Sequence, residues 1–355
     1  MKKSLPAFQI GDLTVSPPII QGGMGVRVSR SGLAAAVANE GCVGVIAAVG
    51  LGKFENRPGS EFEALNNEAL KKEIRKARSM TKGILGINLM VALSNYESLA
   101  KVSVDEGIDL IISGAGLPLD LPKFVKNSKT RLVPIISSVR ALKIICNKWK
   151  RTYDRVPDAV IVEGSKAGGH IGYDFQDVVE NKAPSLDDLI IDIVKFANSF
   201  EPQIPVIAAG GIFDGKDIAH FLKLGVSGVQ MGTRFVCTDE CDVHQSFKQA
   251  YLDATEDDLV IIKSPVGLPG RVIKNKFVDD IKKGRTSPIA CNYHCLRTCN
   301  PKTAPYCIAK ALTSAAEGDL DKGFVFAGSN AYRCNEIVPV KTLIDELVSE
   351  AIQYM

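Results

Sequence analysis

The chain has 355 residues, 46% of them hydrophobic and 23% charged, with a formal net charge of +3; that size allows a sizeable core, as one large α/β barrel or as two domains, and the charge gives no electrostatic ground for nucleic-acid binding. No apolar run reaches the ~18 residues a membrane span needs, so no membrane partner is expected. In "MKKSLPAFQIGDLTV" the residues Gln9, Gly11 and Asp12 interrupt any secretion-signal core, so the expected location is cytoplasmic.

From the N-terminus, the first 235 residues alternate short β-branched runs with longer helical patterns. Strands are predicted at "PPIIQ" (17–21), "CVGVIAA" (42–48), "ILGINLM" (84–90), "DLIISG" (109–114), "RLVPIIS" (131–137), "DAVIVEG" (158–164), "IPVIAAGG" (204–211) and "SGVQMGT" (227–233). Each is apolar on both faces, as strands of a buried parallel sheet are. Between them "SRSGLAAAVANEG", "NYESLAKVSVDEG", "VRALKIICNKWKRT" and "GKDIAHFLKLG" read as helices, with Gly41, Gly107 and Gly225 placed to stop three of them. The charged piece "NNEALKKEIRKARSMTK" (66–82) reads as a solvated helix face. Eight strands with seven helical connections predict an α/β fold, a (β/α)8 TIM barrel that still lacks its last helix, with a doubly wound sheet as the rival. "VKTLIDELVSEAIQ" (340–353) supplies that helix. The expected organisation is therefore a barrel over residues 1–235 and 326–355, with a mostly α lid, 236–325, inserted after strand eight and lying over the barrel mouth.

Barrel phosphate sites are built from the loops after strands seven and eight, here "AAGGIFDGKD" (208–217) and "QMGTRF" (230–235). Gly210 and Gly211 allow close approach of backbone N–H groups to phosphate oxygens, Gly232 and Thr233 offer a further N–H and a hydroxyl, and a helix beginning near Asp214 or Gly215 is expected to add its positive end. The strand–GxGxxG–helix context of a dinucleotide fold is absent, which favours a barrel-bound phosphate cofactor such as FMN. Gly22 and Gly23 in "QGGMG" form another turn at the same mouth. Of four histidines, His170 ends the glycine-rich "EGSKAGGH" after strand six and is the candidate acid/base, with an ordinary pKa near 6.5 suited to proton transfer. His220 and His244 are expected to be structural.

Four of the nine cysteines, Cys291, Cys295, Cys299 and Cys307, fall within "CNYHCLRTCNPKTAPYC" (291–307) inside the insertion. A cytoplasmic setting argues against a disulfide knot. Four thiolates match the number a [4Fe–4S] cluster needs, whereas the paired CxxC knuckles usual for zinc are missing. Zinc and free thiols remain as alternatives, with His294 a minor candidate ligand. Cys42, Cys146, Cys237, Cys241 and Cys334 read as core thiols, Cys237 and Cys241 on one helical face.

"PIIQGGMG", "GINL", "GAGLP", "EGSKAGGH", "PVIAAGGI" and "GVQMGTRF" stand in an order that resembles the nitronate monooxygenase family, formerly 2-nitropropane dioxygenases, and the related FMN-dependent enoyl-acyl-carrier-protein reductases. The resemblance covers nearly the whole chain and implies an FMN-binding TIM barrel. It implies that Gly22, Gly23 and Met24 lie along the flavin ring, and that Asn88 and Glu163 contact its polar edge or ribityl chain. Gly168 and Gly169 would border it, and Gly210, Gly211, Gln230, Met231, Gly232 and Thr233 would hold the phosphate. His170 matches the family's active-site histidine, whereas Glu163 stands where many members carry Gln. The cysteine segment, lying between "SPVG" (264–267) and "YCIA" (306–309), and "GSNAYR" (328–333) resemble a smaller branch. These are the flavin and iron–sulfur acyl-carrier-protein dehydrogenase/isomerases of unsaturated fatty-acid synthesis.

The activity so implied is oxidation of an acyl thioester, small or carried on an acyl carrier protein. His170 would move the α-proton, FMN would take the hydride and an iron–sulfur cluster would pass electrons on. Rival readings are a nitronate monooxygenase using O2, an NAD(P)H-dependent enoyl reductase, and a non-catalytic metal-binding scaffold barrel. "KNKFVDDIKKGR" (274–285) is a candidate dock for an acidic carrier, read first as solvated charge. A homodimer is left open.

Overall fold

The eight Val- and Ile-rich segments all become strands of one parallel sheet. The computed structural model describes residues 4–52, 59–126, 128–285, 289, 291 and 293–355. The strands are β1 (Ile19–Gln21), β2 (Gly44–Ala47), β3 (Leu85–Met90), β4 (Leu110–Gly114), β5 (Arg131–Ile136), β6 (Val160–Glu163), β7 (Val206–Ala209) and β8 (Gly228–Met231). Neighbours pair in parallel from β2 through β8 and on to β1. The ring closes where Gln21 N–H donates to Val43 (2.9 Å) and Val43 N–H donates to Ile19 (3.1 Å). The arrangement is a TIM barrel.

The barrel helices that return the chain after each strand are α1 (Ser31–Asn39), α2 (Gly59–Met80), α3 (Tyr96–Asp105), α4 (Leu121–Phe124), α5 (Val139–Tyr153), α6 (Leu186–Ala197), α7 (Gly215–Lys223) and α8 (Val340–Tyr354). The predicted stop glycines Gly41, Gly107 and Gly225 have φ of 78°, 68° and 94°, the left-handed conformation that ends a helix without a Cβ penalty. The charged stretch 66–82 lies largely on α2, and it is not solvated all round. Leu70, Ile74 and Ala77 are fully buried, while Arg75 and Arg78 reach Glu106 and Asp109 of the next unit.

Strand alternation gives two cores. Ile20, Val45, Ile112, Val133, Ile161 and Ile207 fill the barrel interior, plugged from below by Phe8, Ile10 and Val15 of the hairpin Phe8–Ile10/Leu13–Val15. The other apolar residues of the strands join the inner faces of the helices in the larger outer core.

Between β8 and α8 the chain forms helices Gln245–Leu252, Lys276–Lys282 and Ile308–Ala316 and an antiparallel sheet that hydropathy did not announce. Its central strand, Pro269–Ile273, pairs with Leu259–Lys263, with Val325–Phe326 and with Gly169–His170 from the loop after β6. The inserted segment is thereby stitched to the barrel at the histidine. No helix among the described residues is long and apolar enough to cross a membrane.

Candidate active site

The C-terminal ends of the strands open into a cavity of about 270 Å³. All the glycines, the asparagine, the glutamate, the glutamine, the methionines, the threonine and the histidine predicted as site residues line it, as does Cys295 of the predicted metal set.

At one end, β7 runs into Gly210 and Gly211, whose φ of 95° and 88° only glycine adopts readily. β8 runs into Gly232 and the short helix Thr233–Val236. Thr233 Oγ1 accepts from Gly328 N–H at 3.2 Å, and Asn330 Nδ2 donates to the Gly211 carbonyl at 2.7 Å. The turn 328–330 therefore belongs to this end. The positive end of α7 does not. Gly215 N–H donates to Glu350 (2.8 Å), and Asp214 and Asp217 cap one another's backbone. Gly215 is packed so closely that a Cβ would lie 2.4 Å from Ala351 N. The expected phosphate donor is thus consumed in joining α7 to α8.

The floor is formed by Gly22, Gly23 and Met24 after β1. A Cβ on Gly23 would lie 2.2 Å from Asn88 Cβ, so glycine lets the two strand ends meet. Gly22 N–H donates to the Met231 carbonyl at 2.8 Å and lies against the Gln230 side chain. Gln230 Oε1 is buried with no partner among the described residues, an acceptor suited to a donor edge of a bound group. Glu163 ends β6, and burial pushes its carboxyl up to about 7. Gly168 abuts the returning chain: its Cβ would lie 2.6 Å from Ala327 C and Gly328 N.

His170 is held by the inserted sheet. Its Nε2 lies 2.8 Å from Ser264 Oγ, and its ring packs edge-on to Phe326 at 5.0 Å. Burial lowers its pKa to about 4, well below the value near 6.5 expected of the free side chain, so the imidazole is neutral at pH 7. Ser264, Phe326 and Arg271 escaped sequence reasoning because each acts through the inserted sheet's pairing. Arg271 Nη1 donates to the carbonyls of Ser165 (2.8 Å) and Ala167 (2.7 Å), fixing the loop that carries Gly168 to His170.

The opposite wall is apolar: Phe62, Leu93, Val266, Leu296, Ile308 and Leu312 line it beside Cys295. Segment 295–297 is bonded to the loop after β3 through Ser94 N–H to Cys295 (3.2 Å) and Arg297 N–H to Ala92 (2.9 Å). Burial, together with nearby Cys307, Cys291 and Cys299, pushes the Cys295 thiol up to about 12, so the four thiols converge on one region. Among the described residues, however, no three His, Cys, Asp or Glu side chains stand in an arrangement that holds a metal ion. His294 is exposed, with φ of 46°. His220 pairs with Asp187 (2.7 Å), and His244 caps the helix Gln245–Leu252, both structural roles. The remaining five cysteines are buried. Cys237 and Cys241 share no helix, because the helix ends at Val236, and the Cys237 thiol instead hydrogen-bonds to Cys334.

The pocket fits the flavin phosphate cofactor that the sequence resemblance implies. It offers glycine N–H groups at one end, a flat glycine floor and an unpartnered buried acceptor at Gln230.

Comparison with known proteins agrees. The nitronate monooxygenase family model matches residues 7–103 and 92–350. A Mycobacterium tuberculosis protein named (3aS,4S,5R,7aS)-5-hydroxy-7a-methyl-1-oxo-octahydro-1H-indene-4-carboxyl-CoA dehydrogenase is 27% identical over 270 residues, covering 76% of this chain and 66% of that protein's length. A probable nitronate monooxygenase of Staphylococcus aureus is 28% identical over 312 residues, covering 76% of this chain and 79% of the relative. FabK from Thermotoga maritima superposes with a TM-score of 0.76 at 30% identity, over 96% of this chain and 94% of that one. Nitroalkane oxidase from Streptomyces ansochromogenes, 22% identical, shares the fold with a TM-score of 0.75 over 97% and 98% of the two chains. Since the family match runs through every barrel strand and through the loops that build the cavity, the chain belongs to the nitronate monooxygenase family and is an oxidoreductase.

Proposed function

We propose that the protein is an FMN-dependent oxidoreductase of acyl thioesters, an acyl-carrier dehydrogenase/isomerase, with residues 236–325 acting as the lid over its active site. The observation that carries this reading is a neutral, Ser264-held His170 between a polar glycine cradle and an apolar wall. The M. tuberculosis relative's name, a carboxyl-CoA dehydrogenase, supports a thioester substrate.

Bound FMN supplies hydride acceptance. The protein's own part is orientation and proton movement. In the tautomer whose Nε2–H donates to Ser264 Oγ, His170 Nδ1 keeps its lone pair for the substrate α-proton. Once that proton has passed to solvent, the same nitrogen can take a proton from the γ-carbon of the 2-enoyl thioester and return it at the α-carbon, which moves the double bond to the 3-position and gives the isomerase step. Phe326 and the apolar wall exclude water from the acyl chain, and pairing of the Gly169–His170 strand with Pro269–Ile273 fixes the imidazole in place. Glu163 and Asn88 would hold the cofactor's polar edge, and Gly211, Gly232 and Thr233 its phosphate. We further propose that Cys291, Cys295, Cys299 and Cys307 bind a [4Fe–4S] cluster. The number of thiols and their convergence support it, and no proton step depends on it.

A second reading, oxidation of alkyl nitronates with O2, draws on the staphylococcal relative's name. Anaerobic mixing separates the two: an acyl-carrier thioester should bleach the flavin, and an alkyl nitronate should not. Bleaching by nitronate alone gives the second reading, and rapid bleaching by NADH alone gives an enoyl reductase. In the first case His170→Ala should keep FMN bound and lower turnover by about 10²–10⁴-fold; unchanged turnover removes His170 from the base role.

A further inference from the structure

The loop after β6 carries a cation to which the chemistry above gives no task. Lys166 lines the cavity, and its stem covers Gly211: a Cβ built on that glycine would lie 2.9 Å from Lys166 Cβ and 3.2 Å from Lys166 Cδ. The Lys166 carbonyl accepts from Ser329 N–H at 3.1 Å. One residue therefore touches both halves of the phosphate end, the β7 glycine loop by its side chain and the 328–330 turn by its backbone.

Neighbouring cations are already engaged. Arg333 pairs with Asp214 at 2.7 Å and stacks on Phe213, and Arg234 stacks on the same ring and faces Glu346 at 3.6 Å. The Arg271 guanidinium is bonded to the carbonyls of Ser165 and Ala167. Among the described residues no ion pair engages Lys166. An ammonium on a flexible stem, at the rim of a cradle of backbone N–H groups, suits a phosphate dianion.

We propose that Lys166 is the cationic clamp on the phosphate of the flavin, closing over the Gly211/Thr233 cradle. The proposal rests on the FMN reading and deepens it.

The test titrates flavin-free protein with FMN and with riboflavin, following quenching of flavin fluorescence. Lys166→Met keeps an aliphatic stem over Gly211 and removes the charge. It should raise the Kd for FMN about tenfold or more, equivalent to about 1.4 kcal/mol, and leave riboflavin binding unchanged. Lys166→Arg should retain most of the FMN affinity, and added salt should weaken FMN binding more in the wild type than in Lys166→Met. Equal loss of both flavins in Lys166→Met, or none of either, overturns the clamp. A wild-type chain that binds neither flavin overturns the FMN reading itself, a result visible before any substitution is made.

Discussion

Burial raises the Glu163 carboxyl to about 7 and lowers the His170 imidazole to about 4, because each group's charged form is the one that desolvation penalises. The consequences for stability have opposite signs. Folded Glu163 holds a proton that the unfolded chain releases from its ordinary value of 4.5 upward, so its contribution is present at low pH and is lost as pH rises to about 7. Folded His170 refuses a proton that the unfolded chain takes up below 6.5, so its contribution is present above 6.5 and is lost as pH falls to about 4. The two slopes oppose each other in the native flavin-free protein, and each single variant exposes the other. Glu163→Gln should give a Tm that rises with pH between about 4 and 6.5, and His170→Gln one that falls between about 4.5 and 7. Parallel pH profiles for the two variants would show that the residues do not share a desolvated site. Neither shift could be read from "EGSKAGGH". The motif gives the residue types, but the strand that pairs with His170 lies about a hundred positions downstream.

The barrel strands and most of their helices were legible because parallel strands buried on both faces have an unmistakable apolar signature and αL glycines punctuate them. The inserted sheet was not. Gly169–His170 is two residues long, and Val325–Phe326 is no longer, so neither leaves a period-2 pattern. What makes them strands is pairing with Pro269–Ile273. For the same reason the positive end of α7 was misplaced: Glu350, about 135 positions away, takes its first N–H. Within the sheet, Arg271 anchors the catalytic loop through one nitrogen, Nη1, which donates to two carbonyls. Burial lowers its pKa to about 10, and its charge is stabilised by those carbonyl dipoles. Arg271→Met should cost about 1–3 kcal/mol in urea unfolding, since two carbonyls lose their donor. Turnover and FMN affinity should both fall, because the displaced loop carries His170 and also Lys166, whose two neighbours supply those carbonyls. Arg271→Lys, with a shorter reach and an ammonium free to rotate instead of a fixed guanidinium plane, should recover only part of these losses. A stable and fully active Arg271→Met protein would mean that the strand pairing alone positions the histidine.

At the scale of the whole molecule, the cysteine segment is the joint between the inserted region and the barrel on the side opposite the phosphate. Leu296 bridges to Leu93 after β3, and Cys295 lines the same cavity as His170. A cluster bound there would join these two regions and, by binding the native but not the unfolded chain, would stabilise their junction. Anaerobically purified protein should then contain about four irons and four acid-labile sulfides per chain. Removing them should lower the Tm and open segment 295–307 to proteolysis while FMN stays bound, because the flavin cradle is built from β1, β7 and β8. Cys295→Ala should reproduce that state without chelation. Zinc in place of iron would reassign the site to a structural metal. Four reduced thiols without metal, and a Tm indifferent to Cys295→Ala, would leave the junction to Leu296 and its backbone bonds alone, and the cluster would be withdrawn.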